Sequence, residues 1–552
     1  MLKAQTLAFP GAEGFGRYAQ GGRGGKVVTI TTLADYSSAE TAIEGSLRWA
    51  LDQYKHTEEV QGKTITVYEP LTVVFNVAGT IFLKEDLKVK RDYLTIAGQS
   101  APGMGICIAG HSMTFNGATG GEMWYWGPRR KHVIVRYLRF RPTVPDNTYV
   151  TYGTDVENYE QVIFDHCTMT WANEECLAMY DTKNTTVQYC LVAEGLYSAN
   201  HKKGTRSYCG VWGGQFATYH HNLIAHNNSR NIRFNGARAH DTIAVVDYRN
   251  NVVYNWGNNG ANAEGLEVEV TVKGVTRNEL NMTGNYYKHG PASGYTEGAE
   301  AKKDSKVNRF VIIRQTQATV DDGYHSQHYI AGNYITHFPN ICADNWWCGV
   351  QYKNTPYSTD TALAKQTFRA TDYSLEVKAS LPAITETAEE AYNKVLASVG
   401  ACAPWRDWQD ARIVAEVQAG TASGIGMLNL EGIIDNPQAV GGWPRLTGEP
   451  YTDTDADGIP DEWEDTHGLN KNNVADGAFI TASGYSNLEN YLNSIPQCFD
   501  YMEPIAEDFY TALAFGKSIN FSVPLTNKIF HNGQLLILRD GKIYNVFGVV
   551  VR

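Results

Sequence analysis

A chain of 552 residues with 43% apolar side chains can bury a large core, in one long repeat structure or in several domains. Its 47 Lys and Arg against 59 Asp and Glu leave a net charge of -12 with no long run of one sign, which argues against a nucleic-acid partner. Acidity does not exclude a polyanionic substrate, because arginine, lysine and a bound cation can hold an acidic polymer locally.

The 52 Gly, 33 Tyr and 12 Trp suit a turn-rich β protein with aromatic surfaces for sugars. Nine cysteines are scattered singly, without the paired spacing of a zinc site, and the odd count leaves at least one unpaired within the chain. Residues 1–4 hold no apolar run long enough for a signal peptide or a membrane span.

Short β-branched and aromatic segments of common shape recur along the chain, at 133–140, 162–169, 186–192, 217–224, 244–254, 280–287 and 329–335. The matching residues Tyr137, His166, Tyr189, His221, Asn250 and Gly284 step by 23 to 34 positions, the period range of a solenoid. Each unit reads as one coil of three short strands, which buries its inner face only by stacking on its neighbours in parallel ladders. Uneven steps mean loops of variable length, and such loops are where a binding groove is built. A doubly wound α/β fold needs amphipathic helices in the intervals, and polar Asn and Gly turns occupy them instead. The predicted class is all-β, a parallel β-helix.

Within one coil, 155–181 carries Asp155, Glu157, Asp165, Glu174, Glu175 and Asp181. Alternate residues of a strand point inward and a buried carboxylate without partners is costly, so an outward cluster of these favours a divalent cation. The next coil brings His201-Lys202-Lys203-Gly204, and the one after it Ser229-Arg230-Asn231-Ile232-Arg233-Phe234. Cations at equivalent levels of adjacent coils lie about 5 Å apart, near enough to share one anionic sugar. His166, His220 and His221 sit in strand positions and read as stacked or hydrogen-bonded structural residues. Lys202 and Lys203 also admit a plainer reading, a solvated pair.

Beyond about residue 380 the composition changes, and 384–400 reads as a helix lying along the solenoid. Asp453, Asp455, Asp457 and Asp461 then offer oxygen donors at alternating positions around Gly458, as a hard cation requires. This segment resembles a thrombospondin type 3 or EF-hand-like calcium loop, and helix-like residues 486–492 follow it. A β-like tail at 533–548 carries a hairpin signal at Arg539-Asp540-Gly541-Lys542. It resembles the C-terminal segments of secreted Bacteroidetes proteins, which implies sorting or attachment; a packing hairpin is the plainer alternative. The predicted division is a β-helix over 1–440, a calcium-loop segment over 441–500 and a tail over 501–552.

Six motifs stand in one order: Gly153-Thr154-Asp155-Val156, the strand 162–167, His201-Lys202-Lys203-Gly204, Val211-Trp212-Gly213-Gly214, Tyr219-His220-His221-Asn222-Leu223 and Ser229-Arg230-Asn231-Ile232-Arg233-Phe234. Together they resemble polysaccharide lyase family 1, the pectate lyases, over about residues 8–340, and 8–16 and 95–103 are similar to its bacterial members. The resemblance implies a right-handed β-helix with Arg230 as the catalytic base, Arg233 as the second arginine of the motif and Lys203 as the substrate-carboxylate ligand. It implies calcium, with Asp155 matching the first ligand. The later Asp-Gly-x-x-Asp motif is not kept, and Glu174 and Glu175 are assigned in its place. Ile232 stands where the family usually has proline.

The implied reaction removes the C5 proton of galacturonate beside a negative carboxylate, which a cation and Lys203 neutralise, stabilising the enolate-like transition state. Arginine is a difficult base, with a pKa above about 12, so it needs a neighbourhood crowded with positive charge. Three other readings fit the residues less well. A β-helical glycoside hydrolase needs an acid and base carboxylate pattern that is not seen. A lyase on methylated pectin would dispense with the acidic cluster. A non-catalytic polysaccharide-binding solenoid has no reason to keep Arg230 and Lys203 a coil apart. The expected partner is polygalacturonate or pectin, the expected state a monomer, and the expected location secreted, periplasmic or cell-surface.

Overall fold

The computed structural model describes residues 5–116, 129–236, 241, 243–263, 277–295, 312–315, 326–346, 349–352, 369–370 and 386–499, apart from 61 and 146, together with three strands of the tail. Parallel strands stack in three ladders, one for each face of the coiled chain, which is the β-helix that the repeat spacing predicts. One ladder climbs from Lys26–Ile30 and Leu71–Phe75 to Arg277–Thr283 and Ser326–Ala331. A second climbs from Leu87–Val89 through Tyr208–Trp212 and Arg233–Phe234 to Val350–Tyr352. The third has nine strands, from Gly79–Phe82 to Tyr334–Ile335. The long strands Thr154–Asp165 and Glu175–Gln188 serve both of the first two ladders, turning at Asn158 and Gln161 and at Asp181 and Asn184, all four with positive φ.

Tyr137, His166, Tyr189, His221, Asn250 and Gly284, whose spacing predicts the repeat, are the corners between the first and third ladders. Each has φ between 50° and 63°. Asn and Gly tolerate this left-handed conformation; a larger L-residue there needs compensation. Here the rings supply it, with Tyr137 stacked on His166 at 5.0 Å, His166 on Tyr189 at 4.9 Å and Tyr189 on His221 at 4.9 Å. These separations match the strand spacing of about 4.8 Å, so in-register coils bring the rings to stacking distance without further adjustment.

Just inside the corner a buried asparagine ladder satisfies the polar backbone that the turn leaves over. The Asn222 N–H donates to Asn251 Oδ1 at 3.0 Å, the Asn251 N–H to Asn285 Oδ1 at 2.9 Å and the Asn285 N–H to Asn333 Oδ1 at 3.0 Å. The interior is otherwise apolar, in columns such as Val135, Phe164, Val187, Tyr219, Tyr248 and Met282. Eight cysteines, most of them buried, are free thiols; Cys348 lies outside the described residues.

Two ladders are covered by other parts of the chain. Ala8, Phe9, Ala12 and Ala19 pack on Ile134 and Ile163 of the first. Gly16 approaches so closely there that a Cβ would meet the Val162 carbonyl oxygen at 2.2 Å. The third is covered by two helices, Ala388–Ser398 and Trp408–Ala419, whose Val395, Leu396, Ile413 and Val417 pack on Leu191, Leu223 and Val252. The first of them begins later than its sequence suggests, at a capping box made by Thr387 and Glu390. Asp407 caps the second and pairs with buried Arg141 at 2.7 Å.

Residues 1–507 form one compact unit, so the segment predicted as separate at 441–500 is continuous with the β-helix. Its helix Asn487–Ser494 sets Leu488, Tyr491 and Leu492 against Val74 and Ala97. Residues 508–552 form a second unit, in which Asn527–His531, Gln534–Arg539 and Lys542–Asn545 make an antiparallel sheet. Arg539 pairs with Lys542 as the hairpin signal predicts, and Asp540 and Gly541 lie outside the described residues. Among the described residues no helix is long and apolar enough to cross a membrane.

Asn251→Ala leaves the Asn222 N–H without its acceptor and the Tyr219 carbonyl without the Asn251 donor. A cost of about 2–4 kcal/mol is expected, read as a lower urea midpoint. His221 donates a test of pH dependence. Burial holds it down to about 4, although its Nε2 lies 2.7 Å from Glu386 Oε2. The unfolded chain takes up a proton near pH 6.5 that the native histidine refuses, so this contribution is complete above that pH and is lost as pH falls towards 4. His221→Asn, which keeps a residue suited to positive φ, should therefore melt below the parent at pH 7, with a deficit that shrinks between pH 6.5 and 4.

Candidate functional site

Asp155, Glu174, Glu175, Arg230 and Arg233 lie along the second ladder and at its edge. The Glu174 N–H donates to the Thr151 carbonyl at 3.0 Å and the Gly153 N–H to the Glu175 carbonyl at 3.1 Å, so the two glutamates enter beside the strand that carries Asp155. Asp155 pairs in register with Thr114 and Ala178, and the rung continues from Ala178 through Val211 to Arg233. Asp155 and Arg233 are half-buried residues of one outward column, three strands or about 14 Å apart along the backbone.

Glu175 belongs to the neighbouring column. It pairs with Tyr208, which bridges to Ser229. Arg230 follows with φ 52°, lays its guanidinium over the Tyr208 ring at 4.1 Å from the centroid, and sets Nη1 on Glu175 Oε1. Two strand spacings, about 10 Å, separate Glu175 from Arg230, and only a long side chain lying across the intervening ring spans them. The Asn231–Ile232 peptide is cis, and Ile232 is buried in the interior.

Glu174 has different company. Its Oε2 lies 2.7 Å from His201 Nε2 and 3.0 Å from Arg206 Nε. His201 Nδ1 accepts from the Lys203 N–H at 3.0 Å, and Arg206 donates to the Tyr208 hydroxyl at 3.2 Å. Burial lowers the His201 pKa despite the glutamate. Lys202 and Lys203 are exposed on the turn before Tyr208. His166, His220 and His221 are packed into the corner stack and its hydrogen bonds, away from this group.

Burial pushes the Glu175 carboxyl above the usual carboxylate range, against the pull of Arg230. Burial pushes the Tyr152 hydroxyl up, and Glu175, Asp155 and Glu174 push it the same way. Glu175 Oε2 is buried and takes no hydrogen bond from a described residue. A buried carboxylate oxygen without a partner is the kind of donor that a hard divalent cation takes.

The second acidic group differs from its sequence expectation. Asp461 accepts from the N–H and hydroxyl of Thr454 at 2.8 and 2.7 Å and opens the helix Asp461–His467. Asp455 and Asp457 are joined instead by Glu464 of that helix and Asp476 of a later turn, with one oxygen of each within 4.8 Å of the others. Asp453 accepts from the Gly458 N–H at 3.0 Å. Burial and the neighbouring carboxylates push Asp457 up to about 7. Glu464 was legible as the twelfth residue counted from Asp453; Asp476 carries no local signal. Tyr208 and Arg206 were also missed, because their roles depend on which rung and turn they occupy.

These features define a parallel β-helix with a charged site of carboxylates and arginines on one ladder. No family model matches the chain. A probable pectate lyase C of Emericella nidulans is 30% identical over 492 residues, covering 89% of this chain and 93% of that protein. Its counterpart in Aspergillus fumigatus is 28% identical over 494 residues, covering 89% and 94%. Among solved structures, jun a 1, the major allergen from cedar pollen, is similar at 13% identity and a TM-score of 0.45, over 70% of this chain and 92% of that one. The chain belongs to the pectate lyase family.

Proposed function

We propose that the protein is a secreted pectate lyase, a bacterial member of its family, that cleaves (1,4)-α-D-galacturonan by calcium-assisted β-elimination to give 4,5-unsaturated oligogalacturonides. The observation that carries this reading is Arg230, laid over Tyr208 and in contact with Glu175 on the ladder that also holds Asp155 and Arg233. A binding module has no need of an arginine so placed among carboxylates.

In the elimination the C5–H electron pair becomes the C4=C5 double bond, and the C4–O bond breaks with its pair on the departing oxygen. Arg230 is assigned to receive the C5 proton. The Tyr208 ring fixes the direction of its guanidinium, and Arg233 and Arg206 add positive charge to the neighbourhood of Glu175. Asp155, Glu174 and Glu175 would hold calcium, which when bound would supply positive charge at the substrate carboxylate. Lys203, exposed on its turn, is assigned to bind a substrate carboxylate. Export follows from a polymeric extracellular substrate, and the bacterial affinity rests on the motifs at 8–16 and 95–103. A monomer holds the whole candidate site.

The test follows ultraviolet absorbance of unsaturated product on polygalacturonate at alkaline pH. Absorbance should rise with calcium and stay flat with chelator. Arg230→Ala should lower kcat by about 10²-fold or more. Lys203→Ala should chiefly raise KM. Reducing ends released without absorbance would mean hydrolysis and would overturn the proposal.

A further inference from the structure

The loop 453–464 lies apart from the charged ladder, and nothing in the proposed chemistry uses it. Counted from Asp453 as the first, Asp455, Asp457, Asp461 and Glu464 fall at the third, fifth, ninth and twelfth positions, with Gly458 sixth at φ 91° and Glu462 at the tenth. A twelve-residue calcium loop takes this form, with glycine at the sharp turn and a two-oxygen glutamate at the end.

Spacing alone would leave an acidic turn, but the oxygens themselves point to a ligand. Glu464 is fully buried and neither of its carboxylate oxygens has a hydrogen-bond partner. Asp457, 1% exposed, has Oδ2 unpartnered, as do Asp453 Oδ1, Asp455 Oδ2 and Asp476 Oδ1. Six orphaned carboxylate oxygens therefore converge from a loop, a helix and a later turn. Burying them without compensation would be prohibitive. Asp461, at the ninth position, is already satisfied by Thr454.

The number of donors also selects the ion: calcium takes about six to eight oxygen ligands, which an all-carboxylate group can supply, whereas magnesium keeps several waters. One oxygen from each of Asp455, Asp457, Glu464 and Asp476 falls within 4.8 Å of the others.

The loop sits on the first coils. A Cβ at Gly458 would meet Val27 at 2.9 Å and Val74 at 3.2 Å, both on the first ladder. Ile459 next to it is buried against Val74 and Leu488. On either side the segment is tied down, by Tyr451, which exchanges two 2.8 Å hydrogen bonds with Asn76, and by Glu489, paired with Arg23 at 2.9 Å. An ion here would join the loop, the helix Asp461–His467 and the turn at Asp476 into one rigid piece resting on Val27 and Val74.

We propose that Asp455, Asp457, Glu464 and Asp476, with Asp453 beside them, hold a second calcium ion, a structural clasp that fastens the 451–494 segment to the first coils and takes no part in the chemistry at Arg230.

The test uses the full chain, stripped with chelator, in calorimetric titration with calcium chloride and in thermal melts with chelator, calcium or magnesium. Calcium should raise Tm by several degrees and magnesium by much less. Glu464→Gln and Asp476→Asn should each bind one calcium fewer and lose that rise. Because they relieve repulsion among buried carboxylates, they should melt in chelator no lower than the parent, which separates lost binding from failed folding. Glu175→Gln should keep the rise, so the clasp stands or falls independently of the lyase reading. A parent chain that melts identically in chelator and calcium, or Glu464→Gln and Asp476→Asn variants that keep its calcium stoichiometry and Tm rise, would overturn the proposal.

Discussion

A coil of this protein can bury its inner face only against the coils above and below it, and it does so in register, residue on equivalent residue. That constraint fixes the spacing of everything on the surface as well as in the core. Tyr137, His166, Tyr189 and His221 stack because parallel coils repeat at about 4.8 Å, a centroid separation at which aromatic rings stack. Asn222, Asn251, Asn285 and Asn333 bond side chain to backbone for the same reason. The corner geometry that would be costly in isolation is held by both ladders at once.

Register likewise assembles the charged site. Glu175, Tyr208 and Ser229 occupy successive rungs of one column, and Asp155, Ala178, Val211 and Arg233 those of the next. A carboxylate and an arginine far apart in sequence thus come within reach, with an aromatic ring as the rung between them. The arrangement is poised between two demands. Burial raises the cost of charge on Glu175, and Arg230 offsets part of it. A site on rigid ladders can hold such a balance where a mobile loop could not.

The β-helix was legible in the sequence because its corners recur: left-handed positions restrict residue choice, and the restriction survives as a period of Tyr, His, Asn and Gly. The cluster of Asp155, Glu174, Glu175, Arg230 and Arg233 was legible because one-coil steps in sequence become rungs in space. What sequence could not convey was who partners whom. Glu174 and Glu175 are adjacent in the chain, yet one is engaged by His201 and Arg206 and the other by Arg230, a distinction set by turn geometry. In the acidic loop the alternation includes Asp461, whereas helix formation turns that residue back on Thr454 and brings Glu464 inward. Asp476 arrives from a separate turn, so no spacing rule reaches it.

The central claim is that Arg230 and its neighbours break the polymer by elimination. The most direct measurement is the mass of the products formed from a single oligogalacturonide of defined length, in calcium. Elimination adds nothing to the substrate, so each pair of products should sum to the substrate mass, with the unsaturated member one water lighter than its saturated counterpart. Pairs that exceed the substrate by one water would contradict it.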